Sequence, residues 1–455
     1  MEKKNIHISH AILRAVSIFD PKGKSEKDFA KRLELLGFSK QSFHHNSLDF
    51  FKNNYYPEFK ELIFSNQEKE TVQTFRKEFN QSIYFLKTVF NPDENKNIIT
   101  PIETTLNYCY LFIFPDGLSF FMLDFSRSNK TISEISDINF MIQKLDAVTK
   151  VKIEHKEFNW IEWVEENCLL GNKILSETAG KQIPIDSYSG SKFKLFTVLE
   201  TKEAILQEQR LELLYDIGCN SRIGTAGGTE RESPSKSYYN ELIKNTISVF
   251  QNYDILPLFD SFTVIGNDIL TSNQSGELKD TFAYKTWSDT YFRLVLFNLY
   301  LKFNLFKYNA EAKEDSVKTR EKFEEFVNKY NFSHISFNFL PNLIIKNHRK
   351  TLEIDSELDL FQKRINRISL AIQEKQQGRM DNLIMLITII SSASSIQPIF
   401  KVLDNFRGTH HWSPILFYTI ATSVFIVLAI LVVSFLFPTQ LKKTIQKISR
   451  FLTKE

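Results

Sequence analysis

The segment 216–235 carries the residue types that a phosphate group requires. Glycine leaves backbone amides open to a ligand, and guanidinium groups form charge-assisted hydrogen bonds with phosphate oxygens. The spacing of the glycines matches neither a Walker A loop nor a dinucleotide-binding fingerprint. Two interpretations stay open, a surface loop and a binding site for a small nucleotide-type ligand. The second interpretation assigns the contacts to Gly218, Arg222, Gly224, Gly227, Gly228 and Arg231.

A second set of polar residues follows one face of a long helical pattern near the C-terminus. From residue 358 apolar positions recur every three or four residues, and no proline interrupts the pattern before Pro398. Polar side chains inside an apolar span usually face a bundle interior or a water-filled path. We interpret this face as pore-lining, and a helix hairpin packed through its serines is the alternative. The predicted pore-lining residues are Asp381, Met385, Thr388, Ser392 and Ser395.

Carboxylates cluster where this helical pattern begins, at Glu353, Asp355, Glu357 and Asp359. At a helix N-terminus such groups complement the macrodipole, and a sensor for divalent cations is the alternative interpretation. No set of side chains in the chain has the spacing of a catalytic site. We therefore expect that the protein is not an enzyme. The carboxylates and the Gly-rich segment 216–235 predict a divalent cation and a small nucleotide as its ligands.

The two most apolar runs of the chain predict a transmembrane hairpin. Residues 383–400 and 414–437 approach or exceed the length that crosses a bilayer core of about 30 Å at about 1.5 Å per residue. Lysines and arginines lie before the first run and after the second. By the positive-inside rule the connector 401–413 lies outside, and both termini, including the basic tail 438–455, are cytoplasmic. This pattern predicts a multi-pass protein of the inner membrane.

The composition indicates a large folded region before that hairpin. The chain has 455 residues, of which 24% are charged and 42% hydrophobic, which are ordinary values for a globular protein. A net charge of +3 gives no reason to expect a direct nucleic-acid partner. Its three cysteines are too few for a disulfide framework and suit a reducing cytosol.

Periodicity in this region alternates between helix and strand. We interpret residues 1–89 as mainly helical, and the aromatic runs 108–114 and 118–125 around Pro115-Asp116-Gly117 as a β-hairpin. The run 213–217 is interpreted as a strand. The run 287–308 contains polar positions that favour a buried core helix over a third membrane span. Residues 332–345 are interpreted as a connector broken at Pro341.

These patterns predict an α/β or α+β cytosolic domain followed by a helical stalk and a C-terminal two-helix transmembrane hairpin. The segments, in chain order, are a cytosolic domain at 1–275, a helical region at 276–355, a stalk helix at 356–382, a pore-lining span at 383–400, an external loop at 401–413, a second span at 414–437 and a tail at 438–455.

This order of parts resembles the CorA family of divalent-cation channels. The local match is similar to the family's run entering its first span and reads Met380-Asp381-Asn382-Leu383 through Leu386-Ile387-Thr388-Ile389-Ile390. The resemblance implies a homo-oligomer, a pentamer in the lipid bilayer, in which five copies of the first span surround the pore.

One family motif, the Gly-Met-Asn signature of the outer pore mouth, is absent. Leu403-Asp404-Asn405-Phe406 is its nearest equivalent, so Asp404 and Asn405 are the predicted outer-mouth residues. Divergent members of the family accompany type III CRISPR systems, which implies gating of the channel by a nucleotide second messenger in antiviral defence. The alternatives are a housekeeping magnesium transporter and a membrane-anchored ligand-binding or enzymatic module without a pore.

Overall fold

The computed structural model describes most of the chain up to residue 394. The described residues are 5–21, 26–41, 54–64, 72–91, 96–115, 118–126, 130–146, 148–176, 191–221, 223–224, 235–271, 278–311, 316–394 and single or paired positions between 401 and 426. The chain divides into two compact units, Met1–Gln362 and Lys363–Glu455. The sheet and most of the helices lie in the first unit.

Within the described residues, twelve strands form one mixed sheet in the first unit. The main strand order is β11-β12-β10-β1-β5-β4-β3-β7-β8, in which β10 and β12 pair parallel and the other neighbours pair antiparallel. The short strands β2, β6 and β9 pair with β3 or β1. The strands are β1 His7–Asp20, β2 Ser39–Lys40, β3 Gln73–Asn91, β4 Lys96–Ile113, β5 Ser119–Ser126, β6 Lys130–Thr131, β7 Lys150–Ile153, β8 Lys156–Asn159, β9 Lys173–Ile174, β10 Lys194–Thr201, β11 Tyr253–Pro257 and β12 Ser261–Gly266.

The helices cover both faces of this sheet. They are α1 Glu26–Leu35, α2 Pro57–Phe64, α3 Ile132–Ile142, α4 Trp160–Trp163, α5 Gln207–Gly218, α6 Lys236–Ile243, α7 Phe282–Lys285, α8 Phe292–Glu311, α9 Ser316–Tyr330, α10 Phe339–Thr351 and α11 Ile354–Ser394. Two of them pass through π-helical turns: α4 continues into Val164–Cys168, and α7 continues through Thr286–Tyr291 into α8.

One sheet face packs against α3, α4 and α5 through a continuous apolar core. Alternate residues of β5, such as Phe121 and Leu123, point into this core because successive side chains of a strand face opposite sides. Trp160 of α4 is fully buried there, with its ring 5.0 Å from that of Phe85. A capping box of Thr131 and Glu134 fixes the start of α3.

The opposite sheet face carries aromatic residues that pack against α8. Ring centroids of Phe114 and Tyr300 lie 4.0 Å apart, and those of Phe120 and Phe303 lie 5.7 Å apart. Such aromatic pairs contribute about 0.5–1.5 kcal/mol beyond their burial. The helices α9 and α10 pack on α8 in turn, so the first unit is layered as helices, sheet and helices.

The predicted fold class is wrong in its C-terminal part. Among the described residues no helix combines the length and the apolar character needed to cross a membrane. The apolar end of α11 covers only residues 383–394, roughly 18 Å at about 1.5 Å per residue, and charged residues precede it. The second predicted span, 414–437, lies mostly outside the described residues, and the tail 438–455 lies wholly outside them. This finding contradicts the transmembrane hairpin, the membrane channel built on it and the multi-pass inner-membrane localisation with cytoplasmic termini.

Two local predictions are also wrong. Residues 1–89 contain the long strands β1 and most of β3 besides the short helices α1 and α2, and residues 213–217 belong to α5. The hairpin around 115–117 is confirmed, because β4 and β5 pair antiparallel from Ile113↔Ser119 onward. The buried core helix predicted at 287–308 is confirmed by α8 and its π-helical turn.

Burial of His348 between α8 and α10 predicts a loss of stability in acid. Its exposed fraction is 2%, and burial lowers the pKa of the imidazole to about 3 from 6.5. Between those values the unfolded chain binds a proton that the folded protein excludes. The contribution of His348 to the free energy of unfolding is therefore complete above about pH 6.5 and is lost as the pH falls toward 3. We expect His348→Asn to flatten the fall of stability between pH 7 and 4 in urea titrations.

The matched control is His334→Asn, which removes an exposed histidine. Its stability curve serves as the reference for the effect of replacing a histidine by asparagine. If the free energy of unfolding fell equally steeply between pH 7 and 4 in the unaltered protein and in His348→Asn, the assignment of this acid sensitivity to His348 would be contradicted.

A buried ion pair at the sheet centre yields a second stability prediction. The Arg14 Nε lies 3.6 Å from Asp124 Oδ1, and both side chains are less than a tenth exposed. Arg14→Met leaves the carboxylate buried without its cation, which should cost about 3–5 kcal/mol. We expect Arg14→Met/Asp124→Leu to unfold at higher urea than Arg14→Met alone, with a coupling of at least about 1 kcal/mol. If the losses of unfolding free energy in Arg14→Met and Asp124→Leu simply added up in the double variant, this account would be contradicted.

Candidate functional site

The described part of the Gly-rich segment serves the protein's own packing. A Cβ atom on Gly218 would lie 3.3 Å from side-chain atoms of both Leu256 and Leu258. Gly224 has a φ of +93°, and its amide donates to Asp216 Oδ2 at 2.7 Å. These two glycines therefore provide a close approach and a turn. The remaining predicted phosphate contacts, Arg222, Gly227, Gly228 and Arg231, lie outside the described residues.

The predicted pore stripe is partly described. Asp381, Met385 and Thr388 lie half-buried on α11, and the Thr388 hydroxyl donates to the Ile384 carbonyl at 2.8 Å. Ser392 has a helical backbone. At the predicted outer mouth Asn405 is helical and exposed. Ser395 and Asp404 lie outside the described residues.

The carboxylates at the start of α11 form ion pairs. Glu357 Oε1 accepts from the buried Lys302 Nζ at 2.6 Å, and Asp355 accepts from Arg349. In the described part of the chain no group of three or more His, Cys, Asp and Glu side chains could hold a metal ion.

A cleft of about 650 Å³ lies between the 331–335 loop, α10 and the first turn of α11. We call it the Arg349 cleft. Its volume falls within the range of about 300–1,000 Å³ that small-molecule sites occupy. Its lining residues are Asn331, Phe332, Ser333, His334, Ile335, Phe339, Asn342, Leu343, Ile345, Lys346, Arg349 and Asp355.

Arg349 is the buried charged residue of this cleft, with an exposed fraction of 7%. Its Nη2 donates to Asn331 Oδ1 at 2.8 Å and to Asp355 Oδ1, and its Nε donates to the same Asp355 oxygen at 3.2 Å. The buried Nη1 has no hydrogen-bond partner among the described residues. A buried donor without a partner costs about 1–3 kcal/mol, so this guanidinium retains capacity for an acceptor.

Asn342 fixes the loop that forms one wall of the cleft. Its Oδ1 accepts from the amides of Ile335 at 3.0 Å and Ser336 at 3.3 Å, and its Nδ2 donates to the Ser336 carbonyl at 2.7 Å. The loop is also bridged to residues 54–56, where the Tyr56 amide donates to the Ile335 carbonyl at 2.9 Å. The wall is therefore held in place before any ligand arrives.

Two phenylalanines give the cleft an aromatic surface. Phe332 packs edge-on against the buried Phe59, with ring centroids 5.7 Å apart. Phe339, the first residue of α10, is 55% exposed and lies 6.1 Å from the Phe250 ring. A planar apolar group could stack on an exposed ring of this kind.

The charges around the cleft favour an anion. Lys346 and His334 are exposed on its lining and Arg349 is buried, whereas Asp355 is the acidic lining residue. Among the described residues Lys346 has no ion-pair partner. The arrangement offers two permanent cations against one carboxylate, with an aromatic surface beside them.

Sequence reasoning missed this cleft because its residues come from three segments. Residues 332–345 were expected to form a connector, yet α10 begins at Phe339 and places Pro341 in its first turn. Proline is tolerated there because the first-turn amides of a helix have no intrahelical acceptor. The basic run at 348–350 was a signal, but cations in a last helical turn also complement the macrodipole.

Comparison of the chain with protein-family models, with curated proteins and with solved structures finds no match. The similarity to CorA channels stays a prediction from the run at 380–390.

Lys346 offers a test of the cleft that leaves the fold intact. Removing its exposed charge should weaken binding of inorganic pyrophosphate by roughly twofold to fivefold, the range expected for exposed charge pairs. Calorimetry of Lys346→Gln against the unaltered protein measures this change. The control is Lys350→Gln, one turn further along α10, where the Nζ donates to Asn245 Oδ1 at 3.2 Å. A larger loss in Lys350→Gln than in Lys346→Gln would show that the anion binds elsewhere.

Proposed function

We propose that the protein is a ligand-binding module whose Arg349 cleft binds a nucleoside monophosphate or a related small nucleotide. The phosphate contacts Arg349 and Lys346, and the base stacks on Phe339. The observation that carries the proposal is the buried Arg349 Nη1, which has no acceptor among the described residues.

The energetic argument rests on the buried guanidinium. A phosphate oxygen that accepts from Nη1 removes the cost of an unmet donor and forms a charge-assisted hydrogen bond of about 1.5–3 kcal/mol. Arginine suits phosphate because its planar donors match the tetrahedral oxygens. Since Nη2 already donates to Asn331 Oδ1 at 2.8 Å, the guanidinium is anchored before the ligand binds.

The second part of the argument concerns the base. A bare inorganic anion would use only the cationic part of the cleft, whereas the exposed Phe339 and the partly buried Phe332 extend it as an apolar surface. Stacking of a base on an aromatic side chain contributes about 1–3 kcal/mol. A ligand that combines phosphate with a planar base therefore uses both parts.

The proposal concerns binding and not turnover. Ser333 and His334 line the cleft, but among the described residues no hydrogen bond joins this hydroxyl to the imidazole as a nucleophile and base would require. The channel role predicted from the hairpin is left out of the proposal, because no described helix could cross a membrane.

Calorimetric titration with AMP, GMP, CMP and UMP tests the proposal. We expect at least one nucleotide to bind more tightly than both inorganic phosphate and its own nucleoside. Absence of binding for all four at millimolar concentration would overturn the proposal.

Phe339→Ala separates base stacking from phosphate binding. We expect a loss of about fivefold to 150-fold in affinity for the nucleotide, from about 1–3 kcal/mol of stacking, with little change for inorganic phosphate. Phe337→Ala is the matched control, because Phe337 is 63% exposed, packs on Tyr56 and does not line the cleft. Equal losses in the two variants would contradict stacking on Phe339.

A further inference from the structure

Arg349 already holds an anion that belongs to the protein. Asp355 Oδ1 accepts from both Nε and Nη2 of Arg349. The two side chains differ in burial, since that of Arg349 is 8% exposed and that of Asp355 is 69% exposed. The arginine is also anchored by Asn331 at 2.8 Å. Of the two partners, the carboxylate is the one free to move into solvent.

The pair bridges a sharp joint between two helices. The helix α10 ends at Thr351 and α11 begins at Ile354. Glu353, inside this joint, has a φ of +54°, a left-handed conformation that costs a residue with a side chain roughly 1–2 kcal/mol per position. The flanking Leu352 and Ile354 are fully buried and anchor the joint on both sides. The Arg349–Asp355 pair therefore joins the end of α10 to the first turn of α11 across a strained residue.

A phosphate at Arg349 and the carboxylate of Asp355 are like charges on one guanidinium. Like charges that share a site disfavour one another, so binding of the phosphate weakens the ion pair and the ion pair weakens binding of the phosphate. The phosphate accepts from Nη1 while Asp355 accepts from Nε and Nη2, so the two events are linked through one guanidinium group.

We propose that Asp355 is a built-in competitor of the ligand, and that ligand binding releases the first turn of α11 at the Glu353 joint. This inference rests on the proposed phosphate site. Asp355 thereby sets the affinity of the Arg349 cleft and converts its occupancy into a change at the start of α11. A ligand shifts this equilibrium only by its differential affinity for the paired and released states.

Removal of the competing charge is the first test. In calorimetry of the full chain with AMP, Asp355→Asn should bind roughly threefold to tenfold more tightly than the unaltered protein. Asp359→Asn removes the same charge one turn further along α11, outside the lining of the cleft, and should change affinity by less than twofold. Unchanged or weaker binding in Asp355→Asn, with AMP bound to the unaltered protein, would overturn the competition and leave the proposed function standing.

Hydrogen exchange supplies a readout that does not depend on AMP affinity. Asp355→Asn without ligand should speed exchange of the amides at 357 and 358, because the ion pair no longer holds the first turn of α11, in which the Glu357 amide donates to the Glu353 carbonyl at 3.0 Å. Saturating AMP should speed exchange of the same amides in the unaltered protein. If AMP binds and those amides are unchanged or slowed, the release of the first turn is wrong. If none of AMP, GMP, CMP and UMP binds, the proposed function fails, and if another of them binds in place of AMP, both tests use that nucleotide. Unchanged exchange in Asp355→Asn would by itself refute the role of the Arg349–Asp355 pair in holding the first turn of α11.

Discussion

The rest of the first unit depends on the contacts of one buried guanidinium, that of Arg14 at the middle of β1. It faces Asp124 across the β1–β5 register, lies 4.8 Å over the Phe292 ring and donates to the Ser288 carbonyl. Ser288 lies in a π-helical turn, a form of helix that is rare because its backbone geometry is less favourable. A cation buried in the sheet thus holds an irregular turn of the covering helix. Because the pair is buried, either partner alone would be far less stable there than both together. This interaction fixes where α8 begins on the sheet.

From α8 the placement of the cleft follows through further buried polar contacts. The Asn298 amide donates to the Ile345 carbonyl at 3.2 Å, and Lys302 Nζ donates to Glu357 at 2.6 Å. Apolar packing alone would allow α10 and α11 to slide along α8, whereas these contacts specify one position because a displaced polar group would stay buried without a partner. The same contacts account for polar residues in a helix that is otherwise apolar. The Arg349 cleft is therefore positioned by the interior of the protein, not by its own rim.

The sequence predicted local features well and non-local ones poorly. The hairpin around 115–117 was predictable because its turn chemistry and both its strands are adjacent in the chain. Strand β1 was missed because it is buried on both faces, so its apolar residues do not alternate with polar ones in the way that distinguishes a strand from a helix. Its partner residues in β5 and β10 are 100 or more positions away. The Arg349 cleft could not be predicted for the same reason. Each contributing segment carries no signal alone, and only the packing of the 331–335 loop and the start of α11 against α10 encloses Arg349 and Phe339 in one cleft.

The acidic residues at the start of α11 show why closeness in sequence differs from closeness in space. Asp355 and Glu357 are two positions apart, which places them about 200° apart around a helix of about 3.6 residues per turn. Each consequently meets a different cation. Glu357 pairs with Lys302, whose side chain is only 3% exposed, so this contact is shielded from water and from salt. Asp355 pairs from the solvent side, where competing ions have access. The Glu357 side of the helix start is thus held by a shielded ion pair, whereas the ion pair on the Asp355 side can be displaced by another anion. If an anion displaced Asp355, the Lys302–Glu357 contact would still hold the start of α11, and any movement would turn about that contact.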